Sequence, residues 1–356
     1  MGKLGFGLMR LPKKDGEINI EELSKMVDLF LERGYTYFDT AFVYKGSEEA
    51  TRKALVERHP RESYTLASKL HVAVVPNKEE AEQEFYTSLE RCGTDYFDYY
   101  LLHALTEKNY ETYEQYDLWN FVQARKAEGK IRHIGFSFHG GPELLEKILT
   151  EHPEVEFVQL QINYADWENP KVHSRRNYEL VRQFGKQLVI MEPVKGGTLM
   201  RLPKAVRDRF ASYPYGPAEW ALKFAASMDG LLAVLSGMSD LSQMEENTTL
   251  LRDFDKLSEE EFAVAVDAGI CFSSAREVPC TACGYCLEGC PRQIQIPKIF
   301  AAYNELLFTG EKGAAFEALE GPCAAECIGC RKCEEVCPQH IKISEQLPVV
   351  AKTLDS

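Results

Sequence analysis

Residues 20–39, IEELSKMVDLFLERGYTYFD, carry the pattern that decides the fold. Over residues 20–33 apolar side chains recur at helical spacing, and Gly34 then stops the helix. Residues 35–39 switch to a short aromatic and apolar run of strand character. A helix followed at once by a strand is half of a parallel β/α unit. The same alternation runs to about residue 265, with strand-like runs at 4–9, 35–39, 63–68, 97–102, 133–137, 157–161, 188–191 and 231–235. Further helical segments are expected at 79–92, 119–128 and 142–150. Eight repeats close a (β/α)8 TIM barrel. An open doubly wound sheet is the other arrangement such alternation allows, but no Gly-rich phosphate fingerprint follows the first run.

In such a barrel the chemistry sits at the C-terminal ends of the strands. The second run ends in Asp39, with Tyr44 in the loop beyond; Lys69 follows the third and His103 the fourth. The fifth ends in Ser137 and the sixth in Gln161, with Asn163 close behind. A lone histidine at a strand end is more often structural than chemical. Four ionisable side chains leaving three consecutive strands on one rim are a stronger signal, because they converge in one pocket. Tyrosine is a weak proton donor at neutral pH. The Lys69 ammonium is expected to lower the Tyr44 pKa, Asp39 to hold Lys69 charged, and His103 to hydrogen-bond a substrate oxygen. A proton donor beside an oxyanion site is what a carbonyl needs when it is reduced.

Near the C-terminus, Cys280, Cys283, Cys286 and Cys290 precede Pro291, and Cys327, Cys330, Cys333 and Cys337 precede Pro338. Each run is C-x2-C-x2-C-x3-C-P, the bacterial ferredoxin spacing in which the fourth cysteine serves the other cluster. Two 4Fe-4S clusters are therefore expected. Cys280, Cys283, Cys286 and Cys337 would hold one; Cys327, Cys330, Cys333 and Cys290 would hold the other. Structural zinc normally shows cysteine pairs without a third, and a disulfide framework belongs to short secreted chains. Cys323 fits neither run and is a spare thiol or a substitute ligand, while Cys92 and Cys271 are read as small packed residues. Residues 294–308 have helical spacing, with Pro297 as a start signal, and are expected to pack against the barrel. The division falls near residue 270: a barrel over 1–268 and a small, mostly helical ferredoxin-like domain over 269–356.

The 356 residues are 45% hydrophobic, enough for a large core. A formal charge of −14 disfavours nucleic acid and anionic membrane surfaces. No signal peptide is recognised, no apolar run of about 20 residues occurs, and the thiols must stay reduced. The expectation is a cytoplasmic protein of a low-oxygen cell. Arg175-Arg176 and Arg331-Lys332 read as solvated pairs, although either could receive an acidic ferredoxin.

Phe38-Asp39-Thr40-Ala41 with Tyr44, Ser68-Lys69, Leu101-Leu102-His103, Gly135-Phe136-Ser137, Gln161-Ile162-Asn163-Tyr164 and residues 236–247 together resemble the motifs of the aldo-keto reductases. With the cysteine runs, the whole chain resembles their ferredoxin-tailed bacterial branch. The resemblance implies that Tyr44 is the general acid, that Lys69 and Asp39 tune it, and that His103 orients the carbonyl. It implies that Ser137 and Gln161 hold the nicotinamide carboxamide. Gly237, Met238, Ser239, Gln243, Glu246 and Asn247 would then line the adenosine end. Many NADPH-using members carry Lys and Arg where Gly237 and Gln243 stand here, so the chain leans to NADH over NADPH. Met191 stands where the family often stacks a Tyr, and Phe138 replaces a common Asn.

Nicotinamide delivers two electrons at once, whereas a cluster carries one. No flavin motif bridges the two modes, although flavin phosphate sites in barrels escape sequence reading, so flavin stays open. Three accounts follow. The barrel reduces an aldehyde or ketone with nicotinamide while the clusters serve as relay, sensor or structural element; or electrons from a ferredoxin or other redox partner enter through the clusters without nicotinamide; or the chain is an electron-transfer or partner-binding module on a retained barrel. Phe42, Tyr164 and Trp167 point to an apolar or aromatic carbonyl substrate.

Overall fold

The computed structural model describes residues 3–72, 75–252, 254–274, 278–309 and 312–355. Met1 and Ser356, the outer ends of the two expected domains, lie outside the described residues. Eight parallel strands close a barrel: β1 Leu4–Gly7, β2 Tyr37–Asp39, β3 Thr65–Leu70, β4 Phe97–Leu105, β5 Ile131–Phe138, β6 Phe157–Gln161, β7 Gln187–Met191 and β8 Leu231–Ser236. The ring runs β1-β8-β7-β6-β5-β4-β3-β2, with Phe6 between Phe38 and Ser236 closing it.

The opening stretch shows how the units form. Helix α1, Ile20–Glu32, starts at Asn19, whose side chain accepts the Glu22 N–H at 3.2 Å. It buries Leu23, Met26, Val27 and Phe30. Gly34, at φ 83°, lets the chain leave the helix and enter β2.

A strand sends alternate side chains to opposite faces. On the inner face, Tyr37, Ala67, Leu101, Phe157, Val189, Ala233 and Leu235 form an apolar floor. Gly135 completes it, because a Cβ there would lie 2.5 Å from the Phe157 ring. Two residues further along the same faces stand Asp39, Lys69, His103, Ser137 and Met191. Period two alone therefore lifts the polar set above the floor.

β4 departs from regularity. Its register with β5 shifts between Leu102 and Leu105, and Ala104 has φ 56°. A bulge of this kind re-aims the neighbouring side chain, here His103. The Ser137 hydroxyl accepts the Ala104 N–H at 2.7 Å and holds the bulge.

Beyond the barrel, helix α2, Glu259–Ser274, leads to a second core of Val278, Ile294, Ile296, Phe300, Ile341, Leu347 and Val350 among others. Helix α3, Ile296–Thr309, occupies the expected helical segment with Pro297 in its first turn, and α4, Ile343–Asp355, closes the tail. Among the described residues no helix is long and apolar enough to cross a membrane.

Candidate active site

The Lys69 amine donates to Asp39 Oδ1 at 2.5 Å and to the Thr40 carbonyl at 2.7 Å, and both side chains are buried. Burial pulls each toward its neutral form, raising Asp39 and lowering Lys69, while their mutual attraction opposes it. Lys69 Nζ stands 4.9 Å from the centre of the Tyr44 ring. The Tyr44 and His103 rings meet edge-on at 5.7 Å, so the four side chains share one site.

The expected lowering of the Tyr44 pKa is corrected. Its phenol is held well above its ordinary value, first by burial and then by Tyr285 and Asp39. Lys69 gives its hydrogen bonds to Asp39 and Thr40 and faces the ring, so it offers little to the phenolate. Tyr44 therefore keeps its proton at neutral pH. Burial also holds His103 well below its usual value, hence neutral, with His71 and Lys69 adding to the effect. Its Nδ1 is buried without a hydrogen-bond partner.

The tail sits on this mouth of the barrel. Tyr285, inside the Cys283–Cys286 loop, is near enough to Tyr44 to help raise its pKa. Thr281 accepts at its carbonyl from Arg10 at 2.5 Å, and Arg10 pairs with Glu192 at 3.3 Å. Gly196, at φ 63°, fits against Thr281, whose carbonyl oxygen a Cβ would meet at 2.5 Å. His340 donates to the His139 carbonyl at 2.9 Å. Gln161 and Gln339 exchange two amide hydrogen bonds, 2.8 and 3.0 Å, in a buried setting.

Gln161 also donates to Asp166 at 2.7 Å, as does Asn163 at 2.8 Å, and Asp166 pairs with buried Lys195 at 2.6 Å. Asp166, Lys195, Tyr285 and Gln339 carry no motif in the sequence that marks them for this site. Only the N-x-x-D spacing of Asn163 and Asp166, a turn signal after a strand, hinted at any of them.

Of the residues expected at a nicotinamide carboxamide, the Ser137 hydroxyl accepts from the β4 bulge, and Gln161 has both donors spent and its carbonyl accepting once. Of the residues expected at the adenosine end of a nicotinamide cofactor, Gly237, Ser239, Gln243 and Glu246 are partly or fully exposed, whereas Met238 is buried and Asn247 donates to Ser236. Asp240 caps the helix Leu241–Leu250 through the Gln243 N–H and puts a carboxylate at its N-terminus. Tyr164 and Trp167, expected at the rim, are corrected: they are buried against Phe210, Phe224 and Phe262 as packing. Phe42 is half-buried under Arg91.

In the tail, Cys280, Cys283, Cys286 and Cys337 line one cavity, and Cys290, Cys327, Cys330 and Cys333 line another. Among the described residues no three His, Cys, Asp or Glu side chains close tightly enough on a point to hold a single metal ion. Donors spread around a cavity suit a cluster better than one zinc ion. Cys323 is exposed and lines neither cavity; Cys92 is fully buried, and Cys271 partly so.

Tyr44, the Lys69–Asp39 pair and His103 thus meet at the C-terminal rim of a closed parallel barrel, where this fold carries its chemistry. The chain belongs to the aldo/keto reductase family, which residues 3–268 match, and it is an oxidoreductase. Residues 279–341 match a 4Fe-4S dicluster domain. An aldo-keto reductase of Mycobacterium avium is 28% identical over 272 residues, 75% of this chain and 85% of that one. An NAD/NADP-dependent indole-3-acetaldehyde reductase of Schizosaccharomyces pombe is 32% identical over 150 residues, 41% of this chain and half of that one. Among solved structures, the holo form of an aldo-keto reductase from Bacillus halodurans aligns with a TM-score of 0.61 at 24% identity, covering 75% of this chain and 91% of that one. One from Klebsiella pneumoniae in complex with NADPH aligns at 0.60 and 19% identity, covering 77% and 92%.

Proposed function

We propose that this protein reduces a small carbonyl compound at Tyr44, drawing electrons from its iron–sulfur domain. Tyr44 keeps a proton to give to the carbonyl oxygen. His103, neutral and with a free ring nitrogen, orients that oxygen. Lys69 and Asp39 form the polar base on which the Tyr44 ring rests. The eight cysteines would hold two 4Fe-4S clusters in the crossed pattern of their cavities, and these supply one electron each when bound. Two electrons and two protons convert a carbonyl to an alcohol: one proton reaches oxygen from Tyr44, the other reaches carbon from solvent.

The observation that carries this reading is the seam between tail and barrel. Thr281 and Gln339, which line the first cysteine cavity, bond Arg10 and Gln161 at the mouth of the barrel, so the cavity adjoins the site. The nicotinamide account, with Ser137 and Gln161 on the carboxamide, meets a Gln161 whose two donors are already spent on Asp166 and Gln339. Single-electron delivery also narrows the substrate. Charge placed on an isolated C=O is poorly stabilised, whereas an aromatic ring or alkene conjugated to it spreads that charge. A conjugated carbonyl is therefore the class expected.

The test is anaerobic turnover of cluster-replete protein with a reduced viologen as donor, without nucleotide. Conjugated aldehydes and ketones should be reduced, saturated ones should not, and Tyr44→Phe should lose the activity. Turnover that depends on NADH or NADPH alone would reject the reading.

A further inference from the structure

A primary carboxamide is the group that nicotinamide would present to Gln161, and the Gln339 side chain ends in that same group. The Gln161 amide has two N–H donors and one carbonyl acceptor. One donor goes to Asp166 at 2.7 Å, the other to Gln339 Oε1 at 3.0 Å, and the carbonyl accepts from Gln339 Nε2 at 2.8 Å. Both donors are spent, and only the second lone pair of the carbonyl is left over for a ligand. Gln339 follows Cys337-Pro338 in the tail, so its position is fixed by the same chain that lines the first cysteine cavity.

We infer that Gln339 is an internal occupant of the carboxamide seat and makes the barrel refuse nicotinamide while the iron–sulfur domain is docked. Its role is specificity for the electron source. The inference rests on the assignment of Gln161 proposed above and is independent of which carbonyl compound is reduced. The surrounding fit shows a built seam. Gly196 accepts the approach of Thr281 only because it lacks a Cβ. Arg10 bonds the Thr281 carbonyl, and His340, beside Gln339, bonds the His139 carbonyl. Loops after β1, β5 and β7 thus meet the tail at separate points around Gln339. If the seat is open in only one molecule in about a hundred, apparent nucleotide affinity falls about a hundredfold.

The test is equilibrium binding of NADH and of NADPH to cluster-replete protein, titrated anaerobically by nucleotide fluorescence. Wild-type protein should bind weakly, Gln339→Ala about tenfold or more tightly, and Gln161→Ala/Gln339→Ala should lose that gain. Gln339→Glu, the same size but with carboxylate oxygens facing the Gln161 carbonyl, gives the same reading if the alanine variant loses its iron. Wild-type binding as tight as that of the variants would overturn the inference. So would a variant with full iron content that binds no better than wild type. Neither outcome touches the role of Tyr44, which the viologen assay reads separately.

Discussion

Asp39, Lys69 and His103 were legible because strand ends in a barrel point to one rim, and period two fixes which side chains turn inward. What each does there was less legible, since a pKa depends on burial that only tertiary packing sets. Tyr44 illustrates this: the sequence offers a lysine to acidify it, and the fold instead turns that lysine to Asp39 and Thr40 and half-buries the phenol, which raises it. Tyr285 and Gln339 could not be found from sequence, because nothing in a cysteine run says which strand end it will meet. Tyr44→Phe should lower turnover about a hundredfold or more while cluster absorbance stays unchanged, measured as kcat with a saturating carbonyl. Lys69→Met leaves Asp39 unpaired in a buried site and should cost about 3–5 kcal/mol in denaturant unfolding. Asp39→Asn/Lys69→Met should recover much of that loss, since it removes the stranded charge.

Among the elements, eight strands were visible as runs, and the ends that differed did so for local reasons. β4 runs on to Leu105 instead of stopping at Leu102 because a bulge, held by Ser137, lets it continue. Ser137→Ala should release that bulge and let His103 drift, raising KM for the carbonyl more than it lowers kcat. The helix Lys78–Cys92 lays Glu84 behind β3, where its Oε2 accepts the His71 N–H at 2.9 Å and Oε1 has no partner. Burial pushes this carboxyl up to about 8. The folded state therefore holds a proton that the unfolded chain releases near the ordinary carboxylate range. Stability from this group is complete below about pH 4.5 and is lost as pH rises toward about 8. Melting temperature should fall across that window, and Glu84→Gln should flatten the fall; an unchanged slope would contradict the assignment.

At the scale of the whole molecule, two cores of different kinds are joined across the barrel mouth. Composition and cysteine spacing announced both, but their docking is a spatial fact that periodicity does not encode. Crossed ligation makes a specific prediction. Cys290→Ser, in the first run by sequence, should damage the cluster otherwise held by Cys327, Cys330 and Cys333, removing about half the iron and leaving the other cluster's spectrum intact. Loss of the cluster at Cys280, Cys283 and Cys286 instead would show uncrossed ligation. In the proposed reaction the electrons come from the tail and the proton from Tyr44. Its most direct test is to reduce the holoprotein anaerobically, remove the reductant, and mix it with a conjugated aldehyde in the absence of nucleotide. Cluster absorbance should return as alcohol forms, one molecule per two electrons, and this return should slow at least about a hundredfold in Tyr44→Phe. Clusters that stay reduced until NAD or NADP is added would contradict it.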